Sequence, residues 1–457
     1  MSEVDAPPPG DRKAKFTTGA TMRHVVVMTL TGSVGLMSLF VVDFADLYFL
    51  SLLGEREVAG AIGYAGSIIF FNISVCVGIA IAISALVSRS IGAGRADAAR
   101  RLAASTFLFA LLFTLMLAVV LWFGAGRFLH LLGARGETHD IALSYARIII
   151  PSLPLLALGM CCSGTLRAIG AAKLAMYTML SGGIVNAVLD PVFIFGLGLG
   201  VDGAAYASVC ARFAVLAVGL HCLLNIHGFL PRPRWAWLME DIRAIAKIAL
   251  PAMLTNVATP FGMAYVTAVL AAFGDDAVAA WAIIGRLVPL CFGVVFALSG
   301  AIGPIIGQNF GALNMHRVRR SYIDALKFAA VYVAAVSVAL FALKGVIVGL
   351  FNASDGAAAL IYLFCTWIAI SWAFNGAQFV ANAAFNNLGK PHWSTLFNWA
   401  KATLGTIPFV AAGAAWGGAS GALLGMAAGS ILFGIAAAAT GYALMTRLAR
   451  VEQAAPA

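Results

Sequence analysis

The sequence predicts an all-α membrane protein with twelve transmembrane helices in two six-helix bundles. Three observations carry this prediction: an apolar composition, charge-free runs of bilayer length, and an internal repeat. Hydrophobic residues make up 62% of the 457-residue chain and charged residues only 11%, against about 25% charged residues in a typical soluble domain. With a mean hydropathy of +0.95, the chain has too few charges to cover a water-soluble fold, which excludes a soluble enzyme or binding module.

Charge-free runs mark the predicted helices. A transmembrane helix needs about 20 predominantly apolar residues, and each run reaches that length with a few flanking residues. Helices are expected because backbone polar groups in lipid must be satisfied within the segment. The last run is too long for one helix, and Gly417 and Gly418 split it, which makes twelve. The runs are Val25–Val42, Val58–Ser88, Leu102–Gly126, Ile148–Leu166, Leu174–Leu189, Phe213–Leu230, Ile248–Gly274, Leu287–Met315, Phe328–Phe341, Gly356–Gly389 and Ala402–Thr446.

The lysines and arginines predict the topology. If both termini are cytoplasmic, 20 of the 29 basic residues fall in cytoplasmic segments and only Arg56, Arg127, Arg135 and Lys344 fall outside, as the positive-inside rule requires. This bias also explains the net charge of +10 without a nucleic-acid partner. The first 23 residues are polar and lack the apolar core of a cleavable signal, so the chain is expected to stay embedded in an inner or plasma membrane.

The chain aligns with itself at an offset near 219 residues. LGEREVAGA (53–61) matches FGDDAVAAW (273–281), SRSIGAGRADAARR (88–101) matches GQNFGALNMHRVRR (307–320), and TLRAIGAAK (165–173) matches AFNNLGKPH (384–392). Six spans in each half give both halves the same orientation, with a pseudo-two-fold axis along the membrane normal. The predicted divisions are a tail (1–22), an N-terminal lobe (23–228), a linker (229–240), a C-terminal lobe (241–448) and a second tail (449–457).

Three acids fall at bilayer depth, where a charge is costly and usually functional. Asp43 and Asp46 are three residues apart on one helical face, and Asp190 has Asn186 one turn earlier, with Ser208 following in the next helix. Such a cluster could carry a proton or hold a sodium ion through oxygen ligands. Alternatively, each acid could pair with a basic residue at a helix end.

The second half has no equivalent of these acids. At the repeat offset Asp190 falls on Phe409, and Asp46 falls near Tyr265 or Val266. Coupling to an ion should therefore depend on the N-terminal half. Five basic residues lie within or beside spans and could contact substrate or merely pair inside the bundle; Arg212 and Arg286 are the best substrate candidates, and the others are Arg147, Lys327 and Lys401.

No motif for catalysis or for a cofactor is present. The seven cysteines lie in apolar stretches without a CxxC pair, so we expect neither a disulfide nor a structural metal. There is no phosphate-binding loop for direct ATP drive. We expect a monomer with no cofactor, whose partners are small organic substrates and membrane lipids.

Several segments together resemble the multidrug and toxic compound extrusion (MATE) transporters. They are ADLYFLSLLGEREVAGA, VSRSIGAGRADAAR, LRAIGAAK, NAVLDPVFIFGLGLGVDGAAYAS and IGQNFGALNMHRV, and the match runs nearly end to end. The resemblance implies two V-shaped lobes and antiport of organic, cationic or amphipathic compounds against protons or sodium. It places the first-helix coupling acid on Asp46, the fifth-helix pair on Asn186 and Asp190, and a sixth-helix hydroxyl on Ser208. Asp43 has no counterpart.

One departure concerns the first helix, which often bends at a proline in relatives. The repeat mate of that position, Pro251, aligns with Thr31 or Gly32. A flippase for a lipid-linked precursor is the main alternative function, although it would need a strongly cationic cavity. A channel or a membrane-embedded enzyme is the other alternative, but an enzyme would require clustered nucleophiles or metal ligands.

Overall fold

The structure, a computed structural model, describes residues 14–51 and 56–454. The side chains of residues 43, 47, 48, 50, 51, 56–59 and 451–454 lie outside this description. Within the described ranges the secondary structure is entirely helical, as the sequence predicts.

Fourteen α-helices occupy the described ranges. They are α1 (Thr21–Ser51), α2 (Arg56–Gly92), α3 (Ala96–Leu131), α4 (Gly136–Ile149), α5 (Leu153–Ala168), α6 (Ala172–Pro191), α7 (Gly200–His221), α8 (Trp235–Ala271), α9 (Asp275–Gly311), α10 (Met315–Leu350), α11 (Asp355–Leu363), α12 (Trp372–Asn387), α13 (Pro391–Ala400) and α14 (Ile407–Ala454). Short 3-10 helices cover Lys15–Thr17, Ile150–Ser152 and Ala369–Ser371, and π-helices cover Val192–Gly196, Cys222–Ile226, Phe364–Ile368 and Lys401–Gly405.

Eleven described segments are long and apolar enough to cross a membrane. The last of them, Pro391–Arg450, has 60 residues and leaves helical geometry at Gly417 and Gly418, where Gly418 has φ 59°. Glycine adopts this positive φ without the steric penalty that a Cβ would bring. The segment therefore crosses twice, and the predicted twelve spans are confirmed.

The chain forms two compact units. The first contains Val34–Met253, and the second contains Lys15–Ser33 together with the chain from Leu254 onward. Each unit has its own apolar core. In the first unit Ile79, Leu166 and Leu223 are fully buried. In the second, Phe292, Ile361 and Val410 are fully buried.

Glycines allow very close packing in the second unit. Gly421, Gly425 and Gly429 follow one another at four-residue intervals on one face of α14. A Cβ built on them would overlap the carbonyl oxygens of Gly413, Phe409 and Gly405, respectively. Small residues at this spacing let two helical backbones touch, which is a common basis of helix association in membranes.

Residues 16–19, directly before α1, are anchored in the second unit. Phe16 is 1% exposed, its N–H donates to Gln308 Oε1 (2.9 Å), and its carbonyl accepts from Asn309 Nδ2 (3.1 Å) and Arg317 Nη2 (2.9 Å). Slightly further on, Thr21 Oγ1 donates to Asp324 Oδ2 (2.5 Å). Lys15–Ser33 thus belongs structurally to the bundle built by the second half.

The first unit contains a corresponding anchor for the segment before α8. Arg100 donates to the carbonyls of Gly228 (2.9 Å) and Phe229 (3.3 Å), and Ser105 Oγ donates to Asp241 Oδ2 (2.8 Å). Ser105 is the repeat mate of Asp324, so the same hydroxyl–carboxylate contact recurs with donor and acceptor exchanged.

Replacing Arg317 tests the anchor of residues 16–19 in the second unit. Arg317 also donates to the carbonyls of Thr18 (3.0 Å) and Gly19 (2.9 Å), so Arg317→Met removes several charge-assisted hydrogen bonds from one segment. Amide hydrogen exchange at residues 16–20 should accelerate about tenfold or more. The exposed neighbour Arg320 supplies the control variant Arg320→Met. Equal exchange in both variants would show that Arg317 does not hold the segment.

Candidate ion-coupling site

The acids of the candidate site lie on α1 and α6 in the first unit. α6 carries Asn186 and Asp190 one turn apart and ends at Pro191, where the chain continues as the π-helix Val192–Gly196. Asp190 is fully buried and Asn186 is 4% exposed. Because π-helical turns occur frequently at functional sites, the distortion directly after Asp190 marks this position independently of its charge.

One amide group joins the two carboxylates. Asn186 Nδ2 donates to Asp46 Oδ1 (2.9 Å) and to Asp190 Oδ2 (2.7 Å). The Asp46 carboxyl lies beside the Asp190 carboxyl, and within the described part of the structure Asp190 Oδ1 is buried without a hydrogen-bond donor. Asp46 is half-buried, and two adjacent carboxylates in such a site repel each other unless a proton or a cation lies between them. The geometry therefore suits the binding of one small cation.

Tyr145 completes the surroundings of the acids and was missed by the sequence reasoning. It lies on α4, is 8% exposed, and is close enough to Asp46, Asp190 and Arg212 for electrostatic interaction. Its hydroxyl lies beside Ser208, so Ser208 reaches the acids through this tyrosine. A single tyrosine in a predicted span gives no signal in the sequence, because most such residues serve packing.

Arg212 lies on α7 beside Tyr145 but is bonded to a different group. Its Nη1 donates to the Ile149 carbonyl (3.2 Å) and to Ser152 Oγ (2.7 Å). These bonds fall at the 3-10 turn Ile150–Ser152 between α4 and α5, where Pro151 interrupts α-helical hydrogen bonding. Arg212 thus stabilises this bend and supplies a positive charge beside Tyr145.

The remaining candidates lie elsewhere. Arg286 is exposed on α9 in the second unit, and the Asp43 side chain lies outside the described residues. In the second unit, Phe409 stands at the repeat position of Asp190, in the part of α14 before the break at Gly417 and Gly418. Its carbonyl oxygen lies close to Gly425, which follows that break. No group of three His, Cys, Asp or Glu side chains with metal-binding geometry occurs in the part of the chain that the structure describes.

Comparisons with known proteins agree with the resemblance seen in the sequence. The MatE family model matches residues 33–192 and 251–411, one match in each half. The chain is 29% identical to the FAD transporter of Shewanella oneidensis over 427 residues, 91% of this chain and 93% of that protein. It is 24% identical to the multidrug export protein MepA of Staphylococcus aureus over 83% of this chain and 85% of that protein.

Solved structures share the fold. The Vibrio cholerae MATE transporter VcmN is 25% identical, with a TM-score of 0.88 over 93% of this chain and 97% of that one. A MOP superfamily transporter from Pyrococcus furiosus gives a TM-score of 0.90 at 20% identity, over 96% and 99% of the two chains. Since the family consists of transporters, the prediction that the chain is no enzyme is confirmed. With both halves matched by its model, the chain belongs to the MatE family of multi-pass membrane transporters.

Proposed function

We propose that this transporter is an antiporter that exports organic compounds in exchange for protons or sodium ions. The single observation that carries the proposal is the pair of carboxylates, buried Asp190 and half-buried Asp46, held together by Asn186. An acid pair inside a membrane helix bundle is retained against a desolvation cost, which favours a role in ion transfer.

The position of the acid pair supports binding of the coupling ion from the side of the membrane opposite the cytoplasm. Asp190 lies 18 residues from Ala172, the first residue of α6, which corresponds to about 27 Å of helix rise. A proton or sodium ion bound there would neutralise the repulsion between Asp46 and Asp190. Its release to the cytoplasm would restore that repulsion, so the ion would favour one conformation of the acid pair over the other.

The exported compound is proposed to be organic and amphipathic or cationic. Similarity to an FAD transporter and to multidrug export proteins supports an organic cargo. The flippase alternative lacks support in the first unit, because Arg212 is bonded to Ile149 and Ser152. The other candidate cation, Arg286, belongs to the second unit.

We also propose that both termini are cytoplasmic in a plasma or inner membrane, because this orientation gives the basic bias of the loops. In a variant without native cysteines, a single cysteine at Asp276 should react with an impermeant maleimide added outside intact cells. A cysteine at Lys390 should react only after permeabilisation. The opposite pattern would invert the orientation.

The coupling ion is tested in vesicles loaded with the fluorescent cation ethidium. Efflux is measured under a pH gradient alone and under a sodium gradient alone, with vesicles lacking the protein as the control. Efflux driven by one of the two gradients would support antiport and identify the ion. Efflux that proceeds at the same rate without either gradient would contradict ion coupling.

A further inference from the structure

A lysine lies at membrane depth in the second unit. Lys401 follows α13 (Pro391–Ala400) and begins the π-helix Lys401–Gly405. Ten residues separate it from Pro391, or about 15 Å of helix rise, which is about half the thickness of the hydrocarbon core. A charged side chain at this depth is costly and is rarely kept without a role.

The Lys401 ammonium is hydrogen-bonded to a neutral amide. Its Nζ donates to Asn375 Oδ1, and Asn375 is 7% exposed on α12. Among the described residues no carboxylate lies within ion-pairing distance of the Lys401 ammonium. Lys401 is half-buried, and a charge at this depth is normally paired with an opposite charge, so its ammonium is left without a protein counter-charge among the described residues.

Unsatisfied buried amides continue the row of polar side chains that begins with Asn375 on α12. Gln378 is one turn further along the same face of α12 and is 1% exposed, yet both its Nε2 and its Oε1 are without a hydrogen-bond partner. Asn382, a further turn away and 7% exposed, has an unpartnered Oδ1. Leaving a buried polar group unsatisfied costs about 1–3 kcal/mol, so several of them side by side point to a ligand.

Irregular backbone surrounds this cluster. The π-helix Phe364–Ile368 and the 3-10 turn Ala369–Ser371 come directly before α12, and Lys401 itself opens a π-helix. Substrate sites in transporters commonly lie near the bilayer midplane where helices are interrupted. Both helices that supply the cluster meet this description.

The internal repeat places Lys401 in the same span of its half as the acid pair's Asp190. Lys401 belongs to the fifth span of the second half, and the fifth span of the first half carries Asn186 and Asp190. The same span therefore carries acid in one half and base in the other. The acids suit a cation, whereas an ammonium with amide donors suits an anion.

We propose that Lys401, Asn375 and Gln378 form a binding site for an anionic group, a phosphate or carboxylate, on the exported compound. The proposal rests on the proposed export function and adds to its amphipathic cargo organic molecules that carry a negatively charged group. Lys401 supplies the charge, the Gln378 Nε2 group donates a second hydrogen bond, and the Asn375 carbonyl holds the ammonium in place.

The test uses riboflavin and riboflavin 5′-phosphate, two probes that differ by one phosphate, with ethidium as a cationic reference. Efflux of each is measured in vesicles containing the unmodified protein, Lys401→Met, Lys401→Arg or Lys327→Met. Lys327 is an exposed lysine on α10 of the same unit and supplies the matched control. Gln378→Met provides a second variant of the site that keeps the charge.

The unmodified protein should export the phosphate ester in preference to riboflavin. Lys401→Met should reduce that preference about tenfold or more, the usual worth of a hydrogen bond to a charged group, while ethidium efflux continues. Lys401→Arg and Lys327→Met should keep the preference, and Gln378→Met should weaken it.

Three results would overturn the anion site. The first is ethidium efflux by the unmodified protein without preference for the phosphate ester. The second is a Lys401→Met variant that still prefers riboflavin 5′-phosphate over riboflavin to the same degree. The third is equal export of both flavins that depends on added inorganic phosphate, which would show that the site binds a free phosphate ion instead of the exported compound. Loss of ethidium efflux in both Lys401→Met and Gln378→Met would assign the cluster to structure instead. Absence of any gradient-driven efflux from the unmodified protein would refute the export function itself.

Discussion

Asp190→Asn should reduce gradient-driven efflux to the level of vesicles without the protein. Asparagine keeps the shape of the side chain but cannot bind and release a proton or supply a negative charge to sodium. Asp190 is fully buried beside Asp46, so no solvent-exposed acid can take its place at the same point. The variant should still insert and fold, because the amide can bond to Asn186.

Two further variants separate a shared site from independent effects. Asp46→Asn should have the same effect as Asp190→Asn, and the double variant should be no worse than either, since both acids belong to one unit. Asp202→Asn is the matched control, because Asp202 lies in the same unit but accepts a hydrogen bond from Ser144 (2.8 Å). Efflux by the Asp202→Asn variant should persist. Asp43→Asn should be milder than Asp46→Asn.

Gly429→Ala should destabilise the second unit strongly. The added Cβ would overlap the Gly405 carbonyl oxygen, and backbone atoms cannot rotate away as a side chain can. Overpacking of this kind costs about 1–3 kcal/mol and occasionally more. Thermal unfolding in detergent should therefore begin at a distinctly lower temperature than in the unmodified protein.

Gly345→Ala provides the control for this substitution. Gly345 lies within α10, and a Cβ there would have no neighbour within 4 Å. Alanine favours helix over glycine by about 1 kcal/mol, so this variant should be as stable as the unmodified protein or slightly more so. Equal unfolding temperatures for Gly429→Ala and Gly345→Ala would show that the backbone contact is not close.

The helices could be predicted from sequence because lipid restricts the chain to few solutions. Charge-free length marks each span, and the double glycine at 417–418 divides the last long run at the point where the structure breaks. By contrast, the grouping of Lys15–Ser33 with the second unit depends on hydrogen bonds between residues about 300 positions apart, which no local pattern encodes.

The candidate site was only partly predictable. The membrane depth of Asp46 and Asp190 can be predicted, because both acids lie within or beside apolar runs. That one amide, the side chain of Asn186, joins them can be seen only in the structure. Tyr145 carries no sequence signal, because its neighbours at the site lie on three other helices, α1, α6 and α7. Lys401 is visible as a charge in a span, but its neutral partner Asn375 lies 26 residues away on another helix.

The most direct test of ion coupling at the acid pair measures the ion movement that ethidium evokes in vesicles. Ethidium is added to vesicles that contain a pH-sensitive dye and a sodium indicator, and ion movement is recorded for the unmodified protein and for Asp190→Asn. We predict that ethidium evokes movement of one ion in the opposite direction through the unmodified protein and none through Asp190→Asn. Ethidium-evoked ion movement of equal rate in the variant would contradict coupling at Asp46 and Asp190.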